Sequence, residues 1–362
     1  MKHTKRRALV ATVAMTATMT ATAATGSAQA VTVSCGQTIT ADTTLSFDVG
    51  PCPNGGIIVG ADNITLDLGG HRIFGTTNPG DGAGVYLLGR SGALVTNGSV
   101  SNFDAGVVIE GGSGNTVSKL RTFDNIGTGS TRFGDGIAIE SSSSNKIAGV
   151  TAENNGPYSG IGLYSLVDAQ HPRSTTGPST NNVIQGNRVL NNVASRSGVP
   201  SETDNDGIRA EPEATGNFII GNTVTGSGLD GISLFRGSSN NVVRGNTVEG
   251  SGFFRTAARR GSGIILFNLA NHNLIEGNIV RNNADDGIVI RGPLGATPGS
   301  TNNVIRGNQA FGNSALPPLP SATFGPPTAD LQDRNPQCDQ NKWIGNHYGT
   351  AVPACVTNPK NA

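Results

Sequence analysis

A glycine followed by Ile or Val and an alternating apolar run recurs eight times, at Gly84, Gly106, Gly136, Gly160, Gly207, Gly231, Gly263 and Gly287, separated by 22, 30, 24, 47, 24, 32 and 24 residues. A floor of 22 to 24 with occasional extra length is what one turn of a stacked β-solenoid needs: two or three short strands joined by turns, with insertions extruded at the corners. A second column reads Asn-x-[Val/Ile]-x-Gly-Asn-x-Val, as in "NNVIQGNRV" (Asn181 to Val189), "NNVVRGNTV" (Asn240 to Val248) and "HNLIEGNIV" (His272 to Val280), with a degenerate last copy "QNKWIGNHY" (Gln340 to Tyr348). The β-branched alternation and the glycine density exclude helical repeats. The spacing predicts an all-β chain, a parallel β-helix of roughly ten coils forming a rod of about 48 Å at ~4.8 Å per coil. Ile208, Ile232, Ile264 and Ile288 then stack in the core, while Asn187, Asn222, Asn246, Asn278 and Asn308 bond neighbouring coils at the turns.

Fifty-two glycines would otherwise suggest disorder, but Val, Ile and Leu keep fixed offsets from them. At the N-terminus Lys2, Lys5, Arg6 and Arg7 precede an uncharged run ending in Ala28 to Ala30. This reads as a secretory signal over residues 1–30, and it is too short and threonine-rich for a membrane anchor. Arg6-Arg7 hints at twin-arginine export. Removing those four basic residues from 25 leaves 21 against 25 acidic ones, a balance that does not suit a nucleic-acid binder. No membrane partner and a monomeric state are expected.

The four cysteines lie as Cys35 and Cys52, and Cys338 and Cys355, seventeen apart in each case. In an exported chain this reads as two local disulfides pinning the ends, and neither pair has the short spacing of a zinc site. A solenoid must cover the unpaired edge at each end. Residues 31–60 are therefore expected as an N-terminal cap, 61–312 as the β-helix, and 313–362 as an arm broken by Pro317, Pro318, Pro320, Pro326 and Pro327 leading to a C-terminal cap.

The coil pattern, the entry "NITLDLGGHRIFG" (Asn63 to Gly75) and the full-length stack resemble the right-handed parallel β-helix repeat superfamily, the pectate-lyase-like fold, over essentially residues 60–312. The resemblance implies a right-handed coil. It also implies a fold that hosts pectate, alginate and chondroitin lyases, polygalacturonase-type hydrolases, alginate epimerases, copper-enzyme maturation proteins and adhesins, so activity must be argued from residues.

The residues just before the column glycines are Asp135, Ser159, Asp206, Asp230, Ser262 and Asp286. Stacked, they form an acidic ladder in which Asp206 and Asp230 would stand about 5 Å apart on adjacent coils and repel unless a cation or shared proton relieves them. With Asp204, Asp285 and Asp286 this would make an oxygen-rich calcium site. The structural alternative is that Asp-Gly is a turn whose carboxylate bonds backbone. Three corner insertions reach the same edge: Gly127 to Gly134 with Arg132 and Phe133, Ala194 to Asn205 with Arg196 and Glu202, and Gly252 to Ser262 with Phe253, Phe254, Arg255, Arg259 and Arg260. Loops on one face of a repeat array commonly form its binding face.

Outward strand positions Glu140, Tyr164, Glu211, Phe235, Phe267 and Arg291 add a second stripe suited to sugar faces and to a uronate carboxylate. The pattern favours lyase or epimerase chemistry on an acidic, uronate-containing polysaccharide, with Asp206 and Asp230 holding calcium and Arg196, Arg255 or Arg259 acting as base. A non-catalytic carbohydrate-binding or cell-surface rod is the alternative. A polygalacturonase-type hydrolase ranks lower because its Gly-His-Gly and Arg-x-Lys motifs are missing. Copper is disfavoured, since His71, His171, His272 and His347 are scattered and no Met follows the signal.

Overall fold

A computed structural model describes residues 30–76, 82–127, 134–165, 177–194, 205–253, 260–293, 296–316 and 327–357. Among them the chain winds into a parallel β-helix built from two sheets, one of 21 strands and one of 12. The smaller sheet takes one strand per coil, from Thr38–Ile39 through Ala83–Leu88, Asp206–Glu211 and Ile288–Ile290 to Leu331–Asp333 and Ala351–Val352. The larger sheet takes the strands of the asparagine columns, such as Val242–Arg244 and Thr247–Glu249.

The glycine column stacks as its spacing predicts. Ile208 pairs with Ile232, Ile232 with Ile264 and Ile264 with Ile288, all parallel, and all four side chains are wholly buried. The glycines themselves face the core corner. A Cβ on Gly207, Gly231 or Gly263 would collide with Cγ1 of Val224, Val248 or Val280 respectively, so the position requires glycine for room.

The asparagines form two long buried ladders across the coils. In one, Asn187, Asn222, Asn246, Asn278 and Asn308 each receive, on Oδ1, the backbone and side-chain N–H groups of the preceding member where one exists. The other runs through Asn145, Asn182, Asn217, Asn241, Asn273 and Asn303. From Asn182 onward each Nδ2 also reaches a carbonyl, as Asn246 does to Ile219 O at 2.9 Å. Turn backbone that the strands leave unpaired is thereby satisfied.

Both disulfides form as paired from the sequence, Cys35–Cys52 and Cys338–Cys355. The sheets do not stop at the expected cap boundaries. Thr43–Leu45 pairs with Thr65–Asp67, and Leu331–Asp333 pairs with Ile288–Ile290. The end segments are thus coils in their own right, and each disulfide closes a terminal coil. No helix among the described residues is long and apolar enough to cross a membrane. The expected signal segment lies outside the described residues, apart from Ala30 at the start of the first strand.

Candidate functional site

The roots of the three insertions meet at one corner of the smaller sheet. Gly127 N donates to Gly156 O, Leu229 N to Asn205 O and Asp285 N to Gly261 O. Arg132, Phe133, Arg196, Glu202, Asp204, Phe254, Arg255 and Arg259 lie outside the described residues.

The acid column runs along this corner and performs a definite structural task. Asp206 Oδ1 accepts from Asp230 N at 3.0 Å, Asp230 Oδ1 from Ser262 N at 2.7 Å and Asp286 Oδ1 from Ala329 N at 2.8 Å. Each carboxylate thus satisfies a backbone N–H of the next coil, as the turn reading of Asp-Gly anticipates. Among the described residues no three His, Cys, Asp or Glu side chains gather as a metal site. Asp204, one of the expected calcium ligands, lies outside the described residues, and no step below runs through that ion.

On the outward face, Arg209 gathers the most chemistry. Its Nη1 lies 2.6 Å from Asp206 Oδ2 and its Nε 2.6 Å from Glu211 Oε1. Ser233 Oγ donates to the same Asp206 Oδ2 at 2.6 Å, and Tyr158 Oη donates to the same Glu211 Oε1. The guanidinium carbon sits 4.7 Å from the centre of the Tyr158 ring and 4.6 Å from that of Phe235. Phe235 in turn meets Phe267 edge-on, with centroids 5.9 Å apart. A cation whose side chain is only 5% exposed is tolerable because two carboxylates and two ring faces replace its water. Tyr158 itself is half-buried.

One coil toward the N-terminus, Asp135 accepts from Tyr164 Oη at 2.6 Å and from Ser159 Oγ. Burial, followed by the Asp135 charge, pushes the Tyr164 hydroxyl well above the usual phenol range. Further along, Tyr86 Oη donates to Glu110 at 2.5 Å. Toward the C-terminus a second charged group forms. Arg291 Nη2 lies 3.3 Å from Asp285 and 3.8 Å from Asp286, and Arg334 Nη2 lies 3.7 Å from Asp286. Burial, against the pull of Arg291, pushes the Asp286 carboxyl up to about 7. Burial and the neighbouring Arg291 charge lower Arg334 to about 10.

The expected outward stripe keeps its register, but Glu140, Tyr164, Glu211, Phe235 and Arg291 are buried and Phe267 alone is partly exposed. Glu110, Glu140, Tyr164 and Glu211 are successive partners in register, and Phe235 pairs with Phe267. These strands are buried on both faces: every position of Ser159–Tyr164 and Asp206–Glu211 is covered. Sequence reading missed Arg209, Tyr158, Ser233 and Arg334. The only available signal was a break in pattern, because Arg209 replaces the small or apolar residue found at Ala138, Gly162, Ser233 and Ile265 in the same row.

The model of the family "right handed beta helix region" matches residues 52–248 and 179–352. No curated protein matches the chain. Among solved structures it is similar to the Dettilon tailspike protein, with a TM-score of 0.59 and 16% identity over 86% of this chain and 56% of that one. It is also similar to a mutant of the periplasmic alginate epimerase AlgG, with a TM-score of 0.52 and 13% identity over 86% and 71%. A pectate lyase is similar with a TM-score of 0.50 and 12% identity over 83% and 70%. The chain thus spans little more than half the length of the tailspike it matches, and at these identities the likeness is one of fold.

Proposed function

The chain belongs to the right-handed β-helix family, and from that premise we propose that it acts outside the cytoplasm on an acidic, uronate-containing polysaccharide, removing the proton at C5 of a uronate as lyases and epimerases do. The observation that carries this reading is the Tyr158–Glu211–Arg209–Asp206 assembly on the outward face. Its half-buried member is a tyrosine whose hydroxyl donates to a carboxylate. Two similar folds, an alginate epimerase and a pectate lyase, are named for polyuronates, which supports the substrate class. Two disulfides support a location outside the reducing cytoplasm.

In this scheme the Tyr158 oxygen takes the C5 proton while its own phenolic proton moves to Glu211 Oε1. The electron pair left at C5 forms the C4–C5 double bond as the C4–O4 bond breaks, Tyr158 passing the proton to O4 while Glu211 returns its own to the phenol; in the epimerase branch solvent water protonates C5 from the opposite face and Glu211 gives its proton back to solvent. Arg209 is a positioning residue. It fixes Glu211, and is itself fixed by Asp206. Asp206 and Asp230 therefore move from the ion-holding part first expected of them to a scaffolding one. Arg196, Arg255 and Arg259 on the insertions are the proposed partners of the substrate carboxylate.

A panel of pectate, alginate and glycosaminoglycans in D2O tests the reading. A lyase gives the ultraviolet absorbance of unsaturated uronates, and an epimerase gives deuterium at C5. A polymer that binds without either signal favours the carbohydrate-binding reading, which draws its own support from the backbone-capping role of Asp206, Asp230 and Asp286.

A further inference from the structure

At the C-terminal end of the same outward face lies a pocket of about 530 Å³, bounded by Gln332, Asp333, Arg334, Pro336, Gln337 and Pro353. We propose that this pocket is a separate carbohydrate subsite that receives one uronate ring of the polymer, Arg334, oriented by Gln332, pairing with its carboxylate and Gln337 with its hydroxyls. The proposal rests on the polymer lying along this face, as argued above.

Register puts the pocket in line with the Arg209 assembly. Arg209, Ser233, Ile265, Val289 and Gln332 are successive partners in one outward row, so four coil steps, roughly 19 Å, separate the two. The row itself is buried, so it fixes the distance between the two sites, which an oligouronide is long enough to span, rather than the surface the polymer touches. The volume falls within the range of small-ligand sites, which combine apolar walls with a few fixed polar groups. Here the prolines offer flat apolar walls for the C–H face of a pyranose.

Arg334 is held ready for an anion. Its Nε donates to Gln332 Oε1 at 2.6 Å, and its side chain keeps 22% exposure. The charges packed around it are Asp285, Asp286 and Arg291, with Arg260 acting on Asp285 and Asp333 on the pocket wall. When Asp286, raised by burial to about 7, carries its proton, Arg260, Arg291 and Arg334 face the two carboxylates of Asp285 and Asp333. The Cys338–Cys355 disulfide joins the wall carrying Pro336 and Gln337 to the wall carrying Pro353, so the bond that closes the last coil also fixes the pocket's width.

The protein carries its own reporter. Its single tryptophan, Trp343, is 3% exposed and donates Nε1–H to Asp333 at 3.0 Å, directly behind the pocket wall. Titration of the full-length protein with oligogalacturonates and oligomannuronates should change Trp343 fluorescence saturably, whereas neutral cello-oligosaccharides should not. Arg334→Gln, checked for folding by its melting curve, should weaken the acidic titration by about ten-fold or more. Gln337→Ala on the opposite wall should weaken it too, and serves if Arg334→Gln does not fold. Tyr158→Phe should leave the titration intact. If acidic polymer binds or is turned over while Trp343 stays silent, or if the pocket variants titrate like wild type, the pocket is no subsite although the polymer reading stands. If no acidic sugar binds anywhere, both fall together.

Discussion

At the Asp206, Asp230 and Asp286 corners of the smaller sheet a glycine and an acid share a turn for different physical reasons. The glycine gives way to a valine of the core: a Cβ on Gly231 would meet Cγ1 of Val248. Gly231→Ala should therefore cost about 1–3 kcal/mol, as overpacking does, read as a lower denaturation midpoint with unchanged slope. The acid before it supplies an acceptor to the next coil, and at Asp286 it does so from full burial. Its carboxyl is raised to about 7 by that burial from an ordinary value of 3.8. The stabilisation linked to this proton is complete below about pH 4 and lost as the pH rises through about 7. Asp285 and Asp333 are shifted in the same direction, again first by burial. Urea denaturation should find wild type less stable at pH 8 than at pH 5, and Asp286→Asn should flatten that decline. A wild type that gains stability across the same interval would refute the assignment.

Along the elements, the asparagine ladders do for turns what hydrogen bonding does for strands. Asn246 uses its side chain to serve Asn222, Ile219 and Asn278 at once. Asn246→Ala orphans several buried groups and should cost at least about 3 kcal/mol, more than a typical single hydrogen bond, measurable by chemical denaturation. These ladders were legible in the sequence because every coil needs them, and a need that recurs leaves a column. For the same reason the glycine line and the stripe of Glu140, Tyr164, Glu211, Phe235 and Phe267 could be read in advance. Arg209 could not, since it occurs once in its row and nothing repeats to mark it. Tyr158 lies just outside the strand Ser159–Tyr164, where no period applies. Of the two readings of the acid ladder, spacing gives only the distance between side chains, while the choice of next-coil backbone partners depends on corner geometry that the pattern does not encode.

As a whole molecule the protein is a stack of coils, each contacting mainly its neighbours, closed at both ends by disulfides that join residues seventeen apart. Such a rod offers a long outward face, and the chemistry sits on it where the repeat is broken, at the Arg209 coil and again at the last coils. If Tyr158 exchanges the C5 proton, its hydroxyl is needed for turnover and not for holding the polymer. The decisive comparison is steady-state kinetics of Tyr158→Phe against wild type on whichever polyuronate proves to be the substrate. The kcat should fall by at least about a hundred-fold, the usual share of a positioned acid or base, with KM within about two-fold. A Tyr158→Phe protein that turns over at the wild-type rate would contradict the role assigned to this tyrosine and to the assembly built around it.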